Sequence, residues 1–408
     1  MPRVIVIGAG AAGTMAAIFA AQSGAQTILL ERTRDGGRKI LISGGGRCNV
    51  LPMKLDESRF VTDSSPNLLK KMVRSWPLAQ QIAFFENELN IPLAEEGESL
   101  KLFPASNKAR DVRDGLFAYA QARGVRARME AQVTGIAPEG NEWRVSIHGA
   151  EPQFCDALIV ATGGLSVPNT GSDGFGLRAL AELGHTVHPT YAALTPLLSQ
   201  SEAFASLAGI SLSLEISAQS AARTASANGG FLFTHHGYSG PSVLNVSHVV
   251  VRARAEANGA ANLRVKWTSL NDVQWELALK ANGQRTVSGA LRAEMPDRLA
   301  TMLIQMSNVH PGRPLAELRR DERLRLIGTL VRGELPWTGD EGYKKAEVTG
   351  GGVALEEVDA RRMESKRHRG LFLCGEVLDA FGPIGGYNFL WAWATGRAAG
   401  IASATSAA

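Results

Sequence analysis

Cysteine is scarce in this chain: Cys48, Cys155 and Cys374 are the three in 408 residues, and no two form a CxxC pair. That excludes a disulfide scaffold and suits a reducing compartment, so a cytoplasmic location is expected. Long apolar runs are missing too, since no stretch reaches the roughly 18 residues a bilayer-spanning helix needs. No membrane span is expected. The apolar start of MPRVIVIGAGAAG stops at glycines too early for a secretion signal. Charge of one sign is also in short supply: 43 Lys+Arg against 39 Asp+Glu leave a net of +4. Without aromatic-basic interleaving, this predicts no specific nucleic-acid partner. Internal repeats and low-complexity tracts are absent. What remains, 45% hydrophobic residues at a mean hydropathy of -0.04, is the composition of a soluble globular protein of two or three packed units.

Residues 4–7 are an unbroken β-branched run, as in a strand buried on both faces. Residues 11–22 read as a helix of small residues closed by Gly24, and residues 27–30 as a second strand ending at Glu31. This is a βαβ unit. Helices are predicted at 78–89 and 112–123, short strands near 128–136 and 143–147, and another buried strand at 157–160. The texture changes near Tyr191, where short strands punctuated by Ser, Ala and Gly suggest a β module, followed by helical patterning over about 272–333. The expected division is therefore a first domain part at 1–190, an insert at 191–342 and a completing part at 343–408. That last part brings a strand at 370–374 and a final helix at about 387–401.

Gly8, Gly10 and Gly13 form GxGxxG between the first strand and helix, the context in which backbone amides approach a pyrophosphate. Glu31 lies at the end of the second strand, where a carboxylate accepts hydrogen bonds from ribose hydroxyls. The run ALIVATGGLSVPNTGSDGFG places Thr162, Gly163 and Gly164 after a buried strand. GLFLCGEVLDAFGPIGGYN repeats the order of strand, acid (Glu376, Asp379) and glycine-rich helix entrance, aiming amides near Tyr387 at the N1/O2 edge of a flavin ring. In RKILISGGGRCNV, read as one short loop, Lys39 and Arg47 counter phosphate charge while Gly46, Cys48 and Asn49 stand close to a ligand. The full cofactor-binding set is Gly8, Gly10, Ala12, Gly13, Glu31, Arg32, Lys39, Gly46, Arg47, Cys48, Asn49, Val133, Thr162, Gly163, Gly164, Gly375, Glu376, Asp379, Gly385, Gly386, Tyr387 and Asn388.

GGFLFTHHGYSGPSVLNVSH offers His235, His236 and Tyr238 as candidates to exchange a proton with substrate, against a structural turn in which Gly240-Pro241 opens a helix. With His248 these histidines lack the carboxylate or cysteine that completes a metal set, so no metal is expected. The HTVH run at 185–188 reads as the start of a strand. Cys48 and Cys374 each lie in a cofactor motif, and packing outweighs a redox pairing for both. Neither GSDGFG nor the GGG at 350–352 follows a buried strand directly and opens a helix, so a separate NAD(P)-binding domain is not expected.

Taken together, GAGAAG, RKILISGGGRCN, ATGGLSVPNTGS, FTHHGYSGPS, AEVTGGGV, MESK and CGEVLDAFGPIGGYN resemble the bacterial FAD-binding flavoproteins that include aminoacetone-oxidase-like and bile-acid-reductase-like proteins. The chain departs from that pattern where GRCNVLP replaces GRCNVTN and where DGFG follows TGS directly. The resemblance implies an α/β fold, a glutathione-reductase-type FAD-binding Rossmann domain interrupted by a β-barrel-like insert with a helical subdomain. It also implies FAD contacts at Gly8, Gly10, Gly13, Glu31, Gly46, Arg47, Thr162, Gly163, Gly375, Glu376, Gly385, Gly386 and Asn388. The expected activity is an FAD-dependent oxidoreductase with non-covalent FAD, passing a hydride through flavin N5 between NAD(P)H or oxygen and a small organic substrate. An RNA-modifying flavoprotein and a non-catalytic FAD sensor are the alternatives. The oligomeric state is left open.

Overall fold

The β-branched run at the start becomes β1 (Arg3–Ile7), and in the computed structural model it lies at the centre of a five-stranded parallel sheet. The structure describes residues 1–97, 100–256, 259–281 and 283–405. On one side β1 pairs with β2 (Gln26–Leu30), which pairs in turn with Arg126–Arg128. On the other it pairs with Ala157–Val160, which pairs with Leu371–Leu373. Val6 stands opposite both Leu29 and Ile159, and all three are buried, which is why these strands are uniformly apolar. Because the sheet is parallel, its carboxyl ends share one edge. Gly8, Glu31, Ala161 and Cys374 each directly follow one of these four strands, so three distant motifs meet where dinucleotides bind in such sheets.

α1 (Ala11–Gln22) crosses from β1 to β2, and the last helix, Tyr387–Thr405, lies against it. Small residues allow the approach: a Cβ at Gly396 would stand 2.4 Å from the Ala12 carbonyl oxygen, and one at Gly400 2.3 Å from that of Ala16. Two antiparallel sheets accompany the parallel one, Val133–Glu139 with Glu142–Ile147 and Ala150–Cys155, and Leu51–Pro52 with Lys101–Pro104 and Leu93–Glu95. Segment 38–50 is not the loop expected of it. Its first part is helical, α2 (Arg38–Gly46), broken from Ser43 onward by an extended residue and then left-handed glycines at 44–46. Helices Pro66–Val73 and Phe175–Glu182 lie where the sequence pattern predicts none.

The chain divides into two compact units, 1–190 with 348–408, and 191–347. The second unit has its own core and a seven-stranded antiparallel sheet running from Gly333–Glu334 at one edge to Gly339–Asp340 at the other. Both edges thus come from one short segment. Six residues reach at most about 22 Å, whereas seven flat strands would put the outer pair about 29 Å apart, so the sheet curls strongly. Helix Pro241–Ala255 starts with proline in its first turn, next to Gly240, and packs on this sheet. Four helices follow between Asp272 and Arg332. Among the described residues there is one parallel sheet of more than two strands.

Candidate cofactor site

The turn after β1 is built by contact between backbones. A Cβ at Gly13 would stand 1.8 Å from the Gly8 carbonyl oxygen, and one at Gly8 2.6 Å from that of Ala161. Gly10 differs: nothing lies within 4 Å of where its Cβ would be, and as the residue before α1 it places no side chain over the helix amides. The uncapped first turn, which includes Ala12, faces open space with its positive dipole end, a ready anion site. Glu31, nearly buried, directs Oε2 to the Ala9 N–H (2.8 Å) and accepts at Oε1 from the Thr33 N–H and hydroxyl (2.8 Å each). One carboxylate therefore shapes both the glycine turn and the exit from β2. The Ala131 N–H reaches the Glu31 carbonyl at 2.8 Å and brings Val133 to this end of the sheet. Arg32 pairs with Asp173 and spans to the loop after Ala157–Val160.

After Ile42 the chain turns through Gly44, Gly45 and Gly46 with φ of 56°, 68° and 85°, and Cys48 follows at 63°. Three left-handed residues in succession require glycine. Beside this turn Asn49 is buried with Oδ1 lacking any protein donor, an arrangement that awaits a ligand N–H or O–H. Arg47 pairs with Glu96 and lies over Phe103 at 4.3 Å, so its charge is already partnered within the protein. Lys39 is likewise committed. Its ammonium contacts Glu376 Oε2 at 2.8 Å and Ser166 Oγ at 2.6 Å, while Glu376 Oε1 accepts from Ser166 Oγ (2.7 Å) and the Thr349 N–H (3.0 Å). Burial alone would raise the Glu376 carboxyl, but the Lys39 charge and these hydrogen bonds outweigh it and hold the group below its ordinary range. Gly164 lies against the same network, since a Cβ there would touch Thr349 Oγ1 at 2.4 Å.

The late motif separates into parts that brace and parts that stay open. Asp379 Oδ2 accepts from the Thr62 hydroxyl, the Asp63 and Ser64 N–H groups and the Ser64 hydroxyl, all at 2.8–2.9 Å. Asn388 closes a two-way pair with the Gly382 backbone at 2.8 and 2.9 Å. Expected as ligand contacts, both spend these groups on the protein itself: Asp379 ties down residues 62–64, and Asn388 fixes the turn before the last helix. Tyr387 is buried and donates to the Lys54 carbonyl at 3.1 Å. Gly385 and Gly386, with φ of 127° and 87°, lead into that helix. Gly375 packs on Ala12 and gives its N–H to Thr395 Oγ1. Thr162 and Gly163 follow the strand Ala157–Val160 at the same sheet edge, with Gly163 at a φ of 71°.

One expectation changes. Tyr238 is no proton donor to substrate: it is fully buried among Phe204, Phe231 and Phe233, donates to the Pro336 carbonyl at 2.9 Å, and burial pushes its hydroxyl up to about 12. Its alternation with Phe231 and Phe233 across a strand pair signals core. His235 and His236 occupy the exposed turn between Thr224–Thr234 and Gly237–Ser239. Cys48 and Cys374 are buried free thiols, driven upward by burial, Cys48 to about 12, which removes the thiolate a redox pair needs. His248 is buried too, and its ring is lowered to about 4. No group of three metal-ligating side chains gathers among the described residues. Three residues were missed. Ser166 and Thr349 complete the Lys39–Glu376 network, and His188 points Nε2 at Ser64 Oγ (3.5 Å) and Asp379 Oδ2 (3.8 Å). Only a motif read as a whole, LSVP with AEVTGGG, carried any signal for the first two.

A model of the HI0933-like protein Rossmann domain matches residues 2–402. The chain belongs to the HI0933-like family. It is 31% identical over 398 residues to an Escherichia coli ribosomal RNA dihydrouridine synthase, covering 96% of this chain and 95% of that protein. It is 29% identical over 414 residues to a Clostridium scindens 3-dehydro-bile acid delta(4,6)-reductase, covering 99% of each. A flavocytochrome c3 fumarate reductase shares its fold at a TM-score of 0.51 and 16% identity, over all of this chain and 78% of that one. The open helix start at Gly10, the Glu31 carboxylate at the end of β2 and the Asn49 oxygen without a protein donor fit FAD. This HI0933-like protein is an FAD-dependent oxidoreductase.

Proposed function

We propose that the protein reduces a carbon–carbon double bond conjugated to a carbonyl, using FAD reduced by NAD(P)H. The observation that carries the cofactor half of this reading is Gly10, whose open flank at an uncapped helix start has the shape of a pyrophosphate seat. The α1 amides would hold the phosphates and Glu31 the adenosine ribose. Asn49 and the Gly385–Gly386 amides would hold the ring. FAD bound there supplies hydride chemistry at its N5 atom. The Lys39–Glu376–Ser166 network keeps its charges paired and its groups in place around that seat. For the substrate, support comes from what two relatives' names have in common. Making dihydrouridine saturates the uracil double bond beside a carbonyl, and a delta(4,6)-reductase saturates such bonds in a keto acid of the sterol type. The E. coli match across nearly the whole length favours an RNA uridine as one form of that substrate, and the C. scindens match a small enone as the other. For the insert, the strong curl of its sheet supports a barrel-like module.

The test is anaerobic. Holoprotein reduced by NADH or NADPH is mixed either with a steroidal enone or with ribosomal RNA lacking dihydrouridine, and flavin reoxidation is followed at 450 nm. Stoichiometric reoxidation by one acceptor, with the saturated product found by mass spectrometry, is expected. Reoxidation by oxygen alone, with amines or alcohols reducing the flavin instead, would overturn the reductase reading in favour of an oxidase.

A further inference from the structure

The short strand Lys101–Pro104 carries alternate side chains to opposite faces. Leu102 is buried opposite Leu51 in the core. Phe103, on the other face, meets the first glycine turn: a Cβ at Gly44 would stand 3.0 Å from its ring. Lys101 shares that face by register and meets the second glycine turn, with Cγ 4.0 Å from where a Cβ of Gly385 would be. The paired strand Leu51–Pro52 supports the same arrangement, because Gly386 packs directly on the Leu51 backbone. One strand pair therefore joins the 44–46 turn, the 385–386 turn and a lysine. Asn49, with its unpartnered buried oxygen, borders the first of these turns.

Three neighbouring cations are occupied. Arg47 pairs with Glu96, Arg59 lies over the Tyr387 ring at 5.3 Å, and Lys39 is held by Glu376. Lys101, by contrast, makes no ion pair or side-chain hydrogen bond among the described residues and is partly buried at the entrance of the last helix. A partly desolvated ammonium beside the amides of a helix start creates strong local positive potential, which favours an anion placed against it.

We infer that Lys101 is the cation that stabilises negative charge on the pyrimidine edge of the bound flavin, setting its reduction potential together with the Gly385–Gly386 amides. Lys101 is thus a positioning charge for the cofactor, and this rests on the FAD reading above. The prediction concerns the flavin itself, so it is read without turnover. FAD-loaded Lys101→Met and Lys101→Arg proteins are compared with wild type for flavin midpoint potential, by dye equilibration, and for the affinity of sulfite, an anion that adds to electron-poor oxidised flavin. Lys101→Met is expected to shift the two-electron equilibrium about tenfold toward oxidised flavin, about 30 mV more negative, and to weaken sulfite binding by a similar factor. Lys101→Arg keeps the charge and should restore both. If Lys101→Met binds FAD normally while potential and sulfite affinity match wild type, the inference falls and the FAD reading stands. If even the wild-type chain retains no FAD, the FAD reading falls first.

Discussion

Gly10 and Glu31 allow the sharpest tests at the level of single residues. A valine at position 10 meets no protein atom near its Cβ, so Gly10→Val should fold with near wild-type thermal stability yet retain no FAD. Retention of a full complement of flavin by that variant would move the phosphates elsewhere. Glu31→Ala removes the carboxylate that braces the Ala9 turn and Thr33 and that, on the FAD reading, accepts from the ribose hydroxyls, so FAD affinity should fall by about 1.5–3 kcal/mol, roughly ten- to a hundredfold, in fluorescence titration. A third residue concerns acid stability. The Arg367 guanidinium, with the Thr186 N–H and hydroxyl, holds the Glu357 carboxyl down at about 2. A depressed folded value means the contribution is complete above the unfolded range near 4.5 and disappears as pH falls toward 2. Glu357→Gln should therefore cost about 2 kcal/mol at neutral pH and progressively less as pH falls toward 2, visible as a flattened acid limb in urea melts. Glu31 could be found from sequence because its position depends on a neighbouring strand end. Asp379, Lys39 and Asn388 could be flagged but not given their roles, because the groups that claim Asp379 and Lys39 lie more than 300 residues away in the chain. Asn388 turns back on Gly382 instead.

Elements follow the same division between local and distant causes. The buried strands 4–7 and 157–160 and the closing helix announce themselves through composition, since uniform β-branched or small-residue runs leave few other folds open. The predicted helix at 78–89 continues as Leu78–Ala83 and a wider turn, Phe84–Glu88, with Phe84 and Phe85 both buried. Segment 38–46 misled because three glycines look like a loop, although Ile40 packs in the core and fastens the first turn. Phe175–Glu182 was hidden for a similar reason. Gly176, inside it, leaves room for Thr162, whose Oγ1 would be 2.2 Å from an added Cβ, a demand invisible without the fold. The contact between α1 and the last helix has a direct test. Gly396→Val should lower stability by about 2 kcal/mol or more through overpacking against the Ala12 backbone, measured as an earlier denaturant midpoint with unchanged slope. Gly24→Ala, where a Cβ meets nothing, makes the comparison, and its strain comes from a φ of 91° alone.

For the molecule as a whole, the proposed function carries a kinetic prediction. With one parallel sheet of more than two strands among the described residues, donor and acceptor on the proposed reading use the same flavin in turn, and parallel lines in double-reciprocal plots are expected. Intersecting lines, with NAD(P)H and acceptor bound together, would require a second nucleotide site. The two-unit division also has a sequence signature: the change of texture near Tyr191 marks the start of the second unit, while its end at Glu347 lies beyond the glycine at 342 because residues 343–347 remain tied to it, the Glu347 N–H bonding the Leu194 carbonyl at 3.1 Å. The packing of residues 387–405 on residues 11–22 reaches further, into synthesis. At about 5–20 residues per second, the ribosome makes α1 about 20–80 s before the helix that covers it. Until then the alanine face of α1 has no partner, and the strand Leu371–Leu373 that flanks Ala157–Val160 does not yet exist. The complete sheet edge and the cover over α1 therefore form only once residues 371–405 have been made, so a chain stalled before them should retain no FAD, which ribosome-stalled or truncated chains would show by flavin fluorescence.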